Sequence, residues 1–308
     1  MEGRALFQSL SGNPADTLIF RAPARLNLFG EHIDYVSYLA TSSLAIGSHE
    51  YCMTMYAAPN DIRKVRGWSE NEEFPSFEFS LPDLEQELDR VGQVSWEEFL
   101  TLRPEEPPHW KLYVMGAAAF FRYAYPAIEA SGFDFLVSSG IPPQGGSSSS
   151  SALVVLAGAA MRAFSGSESN LEALALESSR AEWFVGTRGG ALDHSTICLA
   201  RKARAVHLTY KDNSHRLVDL PGEGYKWVSF FTQAADKGRE ILLEYNERAA
   251  VSRILIPGLL EKTAGTIEAA VDQLPAEIRI SEMAVAYPEL VQSLQAGFPA
   301  LYRKRADL

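Results

Sequence analysis

The run Gln144-Gly145-Gly146-Ser147-Ser148-Ser149-Ser150-Ser151 has the composition of a loop that holds an anion. Glycine admits positive φ and close backbone approach, so successive amides can converge on one phosphate. The stretch from Ser151 to Phe164 is rich in Ala, Leu and Met, as a helix would be. A helix start adds unpaired N–H groups and the positive end of its dipole. Serine hydroxyls there can reach phosphate oxygens or a magnesium ion. No Lys follows the glycines, so the pattern GxxxxGK[ST] is absent. The alternative, a flexible Gly/Ser linker, fits poorly with Pro142 and Pro143 just before the loop and the apolar run just after it.

Glu182 and Asp193 form the second candidate constellation. Asn170 suits the N-cap of a helix from Leu171 to Val185 that Gly186 ends. Leu174, Ala175 and Ser178 share its apolar stripe, and Glu182, about three turns beyond Leu171, returns to that stripe. An inward carboxylate needs a partner, which could be a metal ion or a buried Arg, or the stripe is simply broken there. Asp193 follows Gly186-Thr-Arg-Gly189-Gly190-Ala-Leu, a turn where backbone can approach a ligand. An Asp in such a turn is first of all an Asx-turn or cap residue, and a catalytic base second. His194 reads as an ordinary polar residue, since no second His stands at metal-ligand spacing.

These groups need a frame. Thr17–Phe20 is β-rich and enters Arg21-Ala-Pro-Ala-Arg-Leu-Asn-Leu-Phe-Gly30, where Pro23 predicts an edge or a bend. Ser80–Arg103 reads as an outer helix and loop, and Trp110–Tyr123 as a buried helix. In the strand through Phe133, Phe135 and Val137 these residues alternate with Asp134, Leu136 and Ser138. Ala205–Tyr210 and Trp227–Thr232 read as strands, Glu240–Ala270 as mostly helical, and the polar stretch Lys211–Gly224 as a lobe boundary. The mixed order predicts an α+β or α/β architecture. With 308 residues, 46% apolar and 22% charged, the chain suits a globular protein of two lobes. A formal charge of −11 argues against sequence-independent nucleic-acid binding. Cys52 and Cys198 stand far apart without CxxC spacing, so neither a disulfide framework nor a structural zinc site is expected. The N-terminus lacks a signal-peptide pattern, and the longest apolar run, Ala152–Met161, is about half a bilayer span. A cytoplasmic protein without membrane partners is expected.

Three segments together resemble one family. Pro23-Ala-Arg-Leu-Asn-Leu-Phe-Gly-Glu-His-Ile-Asp-Tyr35 resembles the galactokinase signature. Pro142-Pro-Gln-Gly-Gly-Ser-Ser-Ser-Ser-Ser-Ala152 resembles the phosphate motif of the GHMP kinases. Ala181-Glu182 with Gly189-Gly-Ala-Leu-Asp193 resembles their segment with a magnesium ligand and the catalytic Asp. Trp110-Lys-Leu-Tyr-Val-Met-Gly116 and Glu244-Tyr-Asn-Glu-Arg248 are weaker matches, in the family's order. The resemblance implies ATP- and Mg²⁺-dependent phosphorylation of the anomeric hydroxyl of a free sugar, galactose or a close relative. It implies Asp193 as base and Arg25 as the cation that orients it. Glu31, His32, Asp34, Gly190 and Tyr245 would meet the sugar. Gly145, Gly146, Ser148 and Ser149 would meet the phosphates, Trp110 the base, and Ser150 and Glu182 the metal.

The sequence also departs from the pattern. Val36-Ser-Tyr-Leu-Ala-Thr-Ser-Ser43 replaces the family's usual continuation, and Tyr38 also resembles N-acetylgalactosamine kinases. His194 stands where Gln is common and Ser147 where Leu is common. Nothing after Gly258 resembles the family's third glycine-rich motif. The expectation is therefore a two-lobed GHMP kinase fold with mixed β-sheets packed by helices and an incomplete second lobe. Residues 1–212 would form the N-terminal domain and 213–308 a partial C-terminal domain, its gap covered by a partner fragment or a homodimer. A truncated or non-catalytic sensor that binds sugar and nucleotide is the alternative to an active kinase.

Overall fold

The computed structural model describes residues 2–12, 16–36, 41–92, 94–103, 109–142, 146–168, 170–220, 239–250 and 252. A mixed seven-stranded sheet organises them. It comprises β1 (Leu18–Phe29), β2 (Ser42–Asn60), β3 (Lys64–Ser69), β4 (Phe77–Ser80), β5 (Gly132–Ser139), β6 (Arg204–Thr209) and β7 (His215–Asp219). The order is β4-β3-β5-β2-β6-β7, with β1 on the free edge of β2. Only β3 and β5 run parallel, and the helices α2 (Leu81–Val91), α3 (Trp96–Leu102) and α4 (Lys111–Ala124) carry the chain between them.

β1 carries the expected irregularity. Its register against β2 shifts between Pro23 and Arg25 and again between Asn27 and Phe29. Pro23 lacks an N–H, so an edge strand with a bulge is the position it tolerates. The bulge precedes Arg25, a site candidate. β2 runs 19 residues because two neighbours divide it: β6 pairs with its first part and β5 with its second.

The helices α4, α5 (Ser149–Phe164), α6 (Leu171–Ala181) and α7 (Leu192–Leu199) cover one face of the sheet. On the other, α1 (Glu2–Ser11) seats Phe7 on Ala58 and Leu136. That second cover explains why β5 is buried on both faces, where its alternation predicts a half-buried strand. Asp134 is 3% exposed on the α1 side, where it accepts hydrogen bonds from both Arg66 and Asn60. A buried carboxylate so paired keeps its charge without an unmet acceptor.

Several expected elements stand as read. α4, α5 and β6 lie where the sequence places them. α6 is capped by Asn170, whose side chain accepts from the Ala173 amide, and Gly186 ends the segment at φ +100°. The last turn, Glu182–Val185, tightens to 3₁₀. Other segments differ. Asp193 sits in the first turn of a helix and not in an open turn, because Leu192, Thr196, Ile197 and Leu199 give α7 a buried face. Ser80–Arg103 is two capped helices with Leu81, Leu84, Leu88, Trp96 and Phe99 buried, so it belongs to the core. Residues 215–219, within the polar stretch, form β7. The expected strand 227–232 lies outside the described residues, as does most of the expected domain 213–308. Among the described residues, no helix is long and apolar enough to cross a membrane.

Gly116 of α4 is where this helix meets the Glu182 segment. A Cβ there would lie 2.5 Å from the Ala181 carbonyl oxygen and 2.7 Å from Phe184 Cβ. Helix propensity alone favours Gly116→Ala by about 0.8–1.0 kcal/mol. Overpacking against backbone outweighs that gain, so we expect a net loss of about 1–3 kcal/mol, measured by equilibrium urea unfolding.

Candidate active site

A cavity of about 1170 Å³ runs beside the helix face of the sheet. Its walls include Asn71, Phe74, His109 and Trp110 at one end, the start of α5 beside it, and Glu31, His32, Asp34 and α8 (Arg239–Ala250) elsewhere. Arg25, Glu182 and Asp193 also line it. All the expected site residues that the structure describes, apart from Gly146 and Ser148, are in this lining; Gly145 lies outside the described residues.

Arg25 and Asp193 meet directly. Arg25 Nε donates to Asp193 Oδ1 at 2.5 Å, and the Arg25 side chain is only 13% exposed. Its Nη1 reaches the Gly146 carbonyl at 3.4 Å, and its Nη2 lies 3.8 Å from Glu31 Oε1. Asp193 Oδ2 accepts from Ser148 Oγ at 2.5 Å. Ser148 adopts φ +59°, a left-handed conformation rare for a residue with a Cβ. Its hydroxyl makes no cap bond to α5, which leaves it for Asp193. The strain is thus spent at the base candidate. Burial alone would raise the Asp193 carboxyl, but the charge and hydrogen bond of Arg25, with Ser148, bring it below the ordinary carboxylate range.

Glu182 and Asp193 are neighbours. Ser151 Oγ donates to Glu182 Oε2 at 2.8 Å and stands 3.5 Å from Asp193 Oδ2. His194 Nε2 lies 2.8 Å from the same Glu182 oxygen. Burial pushes Glu182 up; His194 and Ser151 outweigh it and hold the carboxyl below its usual range, while Asp193 opposes them. Ser150 bonds to Tyr113, whose phenol is pushed up to about 12 by burial and by Glu182. An ionised, inward carboxylate beside the Ser150 and Ser151 hydroxyls fits a hard divalent cation that takes its remaining ligands from phosphate and water. Among the described residues, no three His, Cys, Asp or Glu side chains group as a self-sufficient metal site.

The remaining candidates cluster opposite. Asp34 Oδ2 accepts from the Leu192 amide at 3.1 Å, which ties it to the start of α7. A Cβ on Gly190 would lie 2.2 Å from the Asp34 carboxyl, so only glycine fits there. Glu31 accepts from Asn27 Nδ2 at 2.6 Å. The Tyr245 ring lies 5.8 Å from the His32 ring and 6.2 Å from that of Tyr35. Trp110 Nε1 donates to the Pro75 carbonyl, and its ring stands edge-on to Phe77 at 4.5 Å. Ser149 opens α5 in the cavity wall; Gly146 turns the preceding loop at φ +70°.

His194, expected as an ordinary polar residue, is instead buried against Glu182, and the sequence did not single out Ser151, Tyr113 and Asn27. The signal for His194 was its place one residue after Asp193 on a helix, which required α7 to be recognised. For Ser151, the fifth serine of the run, it was the position at which a helix start faces Glu182.

Residues 112–201 match the family of the GHMP kinases N terminal domain, and residues 5–42 match the galactokinase galactose-binding signature. Galactokinase of Lactococcus lactis subsp. lactis (strain IL1403) is 29% identical over 250 residues, which are 80% of this chain and 56% of that protein. That of L. lactis subsp. cremoris (strain MG1363) is 29% identical over 253 residues, with the same coverage. The chain therefore spans a little over half the length of these relatives. In structure it is similar to L. lactis galactokinase complexed with galactose, with TM-score 0.62, 23% identity, and coverage of 84% of this chain and 61% of that one. It is also similar to Methanococcus jannaschii mevalonate kinase, with TM-score 0.50, 18% identity, and coverage of 92% and 81%. The chain thus has the fold of these GHMP kinase structures, and its residues 112–201 are similar to their N-terminal domain. The segment similar to the galactokinase galactose-binding signature spans Arg25, Glu31, His32 and Asp34.

Replacement of Arg25 by Met removes the charge that holds Asp193 ionised and leaves burial to push the carboxyl up. In wild type the folded carboxyl lies below 3.8, so its ionised form contributes stability above the unfolded value, and that contribution fades as pH falls through the folded one. The variant reverses this sign. The stability gap between the two should be widest at neutral pH and narrow as pH falls towards and below 3.8, as measured by urea unfolding across pH.

Proposed function

We propose that this protein is a sugar kinase that transfers the γ-phosphoryl group of ATP to the anomeric hydroxyl of galactose or a close relative. The observation that carries the reading is one cavity wall holding the Arg25–Asp193 pair, Glu182 and the start of α5 together. The signature at 5–42 and the galactose named for the L. lactis structure support galactose as the first sugar to test.

Asp193 accepts the hydrogen bond of the sugar hydroxyl and takes its proton as the oxygen bonds to the γ-phosphorus and the bond to ADP breaks. Its lowered pKa suits a loose transition state, in which the hydroxyl keeps its proton until late and the base orients more than it pulls. Arg25, paired with Asp193, favours its ionised form and would steady the negative charge that develops on the transferred phosphoryl group. Glu31, His32, Asp34, Gly190 and Tyr245 hold the sugar. The amides of Ser149 and its neighbours, with Gly145, Gly146 and Ser148, hold the phosphates at the start of α5. Trp110 flanks the nucleotide base. Glu182 and Ser150 would hold a magnesium ion, whose chemistry is to neutralise charge on the phosphate oxygens.

The test is ADP release with ATP, Mg²⁺ and a panel of galactose, N-acetylgalactosamine and glucose. Sugar-dependent release is expected, and Asp193→Asn should lower it by about 10²–10⁴-fold. Release that ignores the sugar, or an Asp193→Asn variant at wild-type rate, overturns the proposal. Gly190→Ala should displace Asp34 and raise the KM for sugar by about tenfold or more, with the KM for ATP unchanged.

A further inference from the structure

Two hydrogen bonds join α8 to the segment that leads into Asp193, and one side chain makes both. Asn246 Oδ1 accepts from the Arg188 amide at 2.8 Å, and Asn246 Nδ2 donates to the Gly186 carbonyl at 2.6 Å. The side-chain amide thus pairs with the loop backbone as a peptide group would. Gly186 is in the left-handed region at φ +100°. The adjoining backbone is held as well, since Trp183 Nε1 donates to the Gly189 carbonyl at 2.9 Å.

We infer that Asn246 is a positioning residue: it locks the turn 186–190 against α8, so that the sugar-side residues and Asp193 are set by one element. This rests on the sugar-kinase reading. Tyr245, the preceding residue, approaches the His32 and Tyr35 rings, and a Cβ on Gly189 would lie 3.6 Å from its hydroxyl. Gly190 abuts Asp34, and Asp193 follows three residues later. A shift of α8 relative to the turn would therefore open the sugar side of the cavity without touching the start of α5. Neither matched family segment reaches Asn246.

The test compares wild type, Asn246→Ala and Asn246→Asp by amide hydrogen exchange and by titration with galactose and with a non-hydrolysable ATP analogue. In Asn246→Ala, exchange across 186–190 should accelerate by about tenfold or more, while α4 and α5 keep their protection. Galactose affinity should fall about tenfold, with the analogue's affinity within about twofold. Asn246→Asp keeps the acceptor for the Arg188 amide and should restore much of the protection there. Unchanged exchange at 186–190, or equal loss of both ligands with α4 and α5 exposed, overturns the positioning role. Faster exchange at 186–190 with unchanged galactose affinity overturns it too, leaving a local structural tie. If wild type takes up no galactose or related sugar, the sugar-kinase reading falls, and the role towards sugar with it.

Discussion

A carboxylate and a guanidinium withdrawn from water must find each other, and Arg25 and Asp193 do so across 168 residues of sequence. Left alone, either would cost several kcal/mol in a buried site. Their meeting constrains both ends of the fold. β1 must deliver Arg25 to the helix face, which it does just after the register shift at Pro23. α7 must begin where its first turn aims Asp193 back at β1, and Asp34 fixes that beginning through the Leu192 amide. Arg25's own amide donates to the Ser147 carbonyl, so the serine loop is anchored to the same strand. The strained Ser148 then completes the carboxylate's partners. Sheet, loop and helix are registered by one ion pair.

Helix packing sets the second carboxylate. Gly116 lets α4 approach the end of α6 closely enough to bring Glu182 against the α5 start. Burying this carboxylate beside Asp193 is unfavourable in isolation, because like charges at short range in a low dielectric repel. Ser151 and His194 offset part of that cost from one side of Glu182. The loop hydroxyls and the helix dipole add to the same compensation. The polar cluster is therefore maintained by the packing of apolar helices around it, with Leu153, Leu174 and Phe184 among the buried residues of that core.

What the sequence made legible follows from range. Short-range signals were readable: the cap at Asn170, the left-handed stop at Gly186, the apolar composition of α4 and α5, and the bend demanded by Pro23. The candidate residues were readable because their motifs are local strings. The partners of those residues were not. Nothing near Glu182 in sequence announces Ser151 or His194, and α7 was hidden because its eight residues, LDHSTICL, interleave polar groups that are in fact buried. β2 escaped because its polar centre, around Ser48–Tyr51, breaks the alternation. The burial of Asp134 depends on α1, more than a hundred residues away, and no local pattern carries that information.

The charge of the cavity constrains its ligands further. Among the described lining residues stand five carboxylates, Glu31, Asp34, Glu70, Glu182 and Asp193, against Arg25 as the single Arg or Lys. A polyanion entering such a wall meets repulsion that one guanidinium, already committed to Asp193, cannot cancel. Two sources of positive potential remain. One is the N-terminal turn of α5, sixteen residues long and without a side-chain cap, whose Ser149, Ser150 and Ser151 line the cavity beside Glu182. The other is a cation arriving with the anion, for which the acidic wall is an attraction. The same acidity that opposes a bare polyanion would favour one that arrives as a metal complex, most strongly where Glu182 and Asp193 lie closest. On the sugar-kinase reading proposed above, Glu31 and Asp34, each already tied to a neighbour, would use their remaining acceptor capacity on a neutral, hydroxyl-rich ligand. On that reading, one negatively charged cavity would separate two chemically different ligands by position.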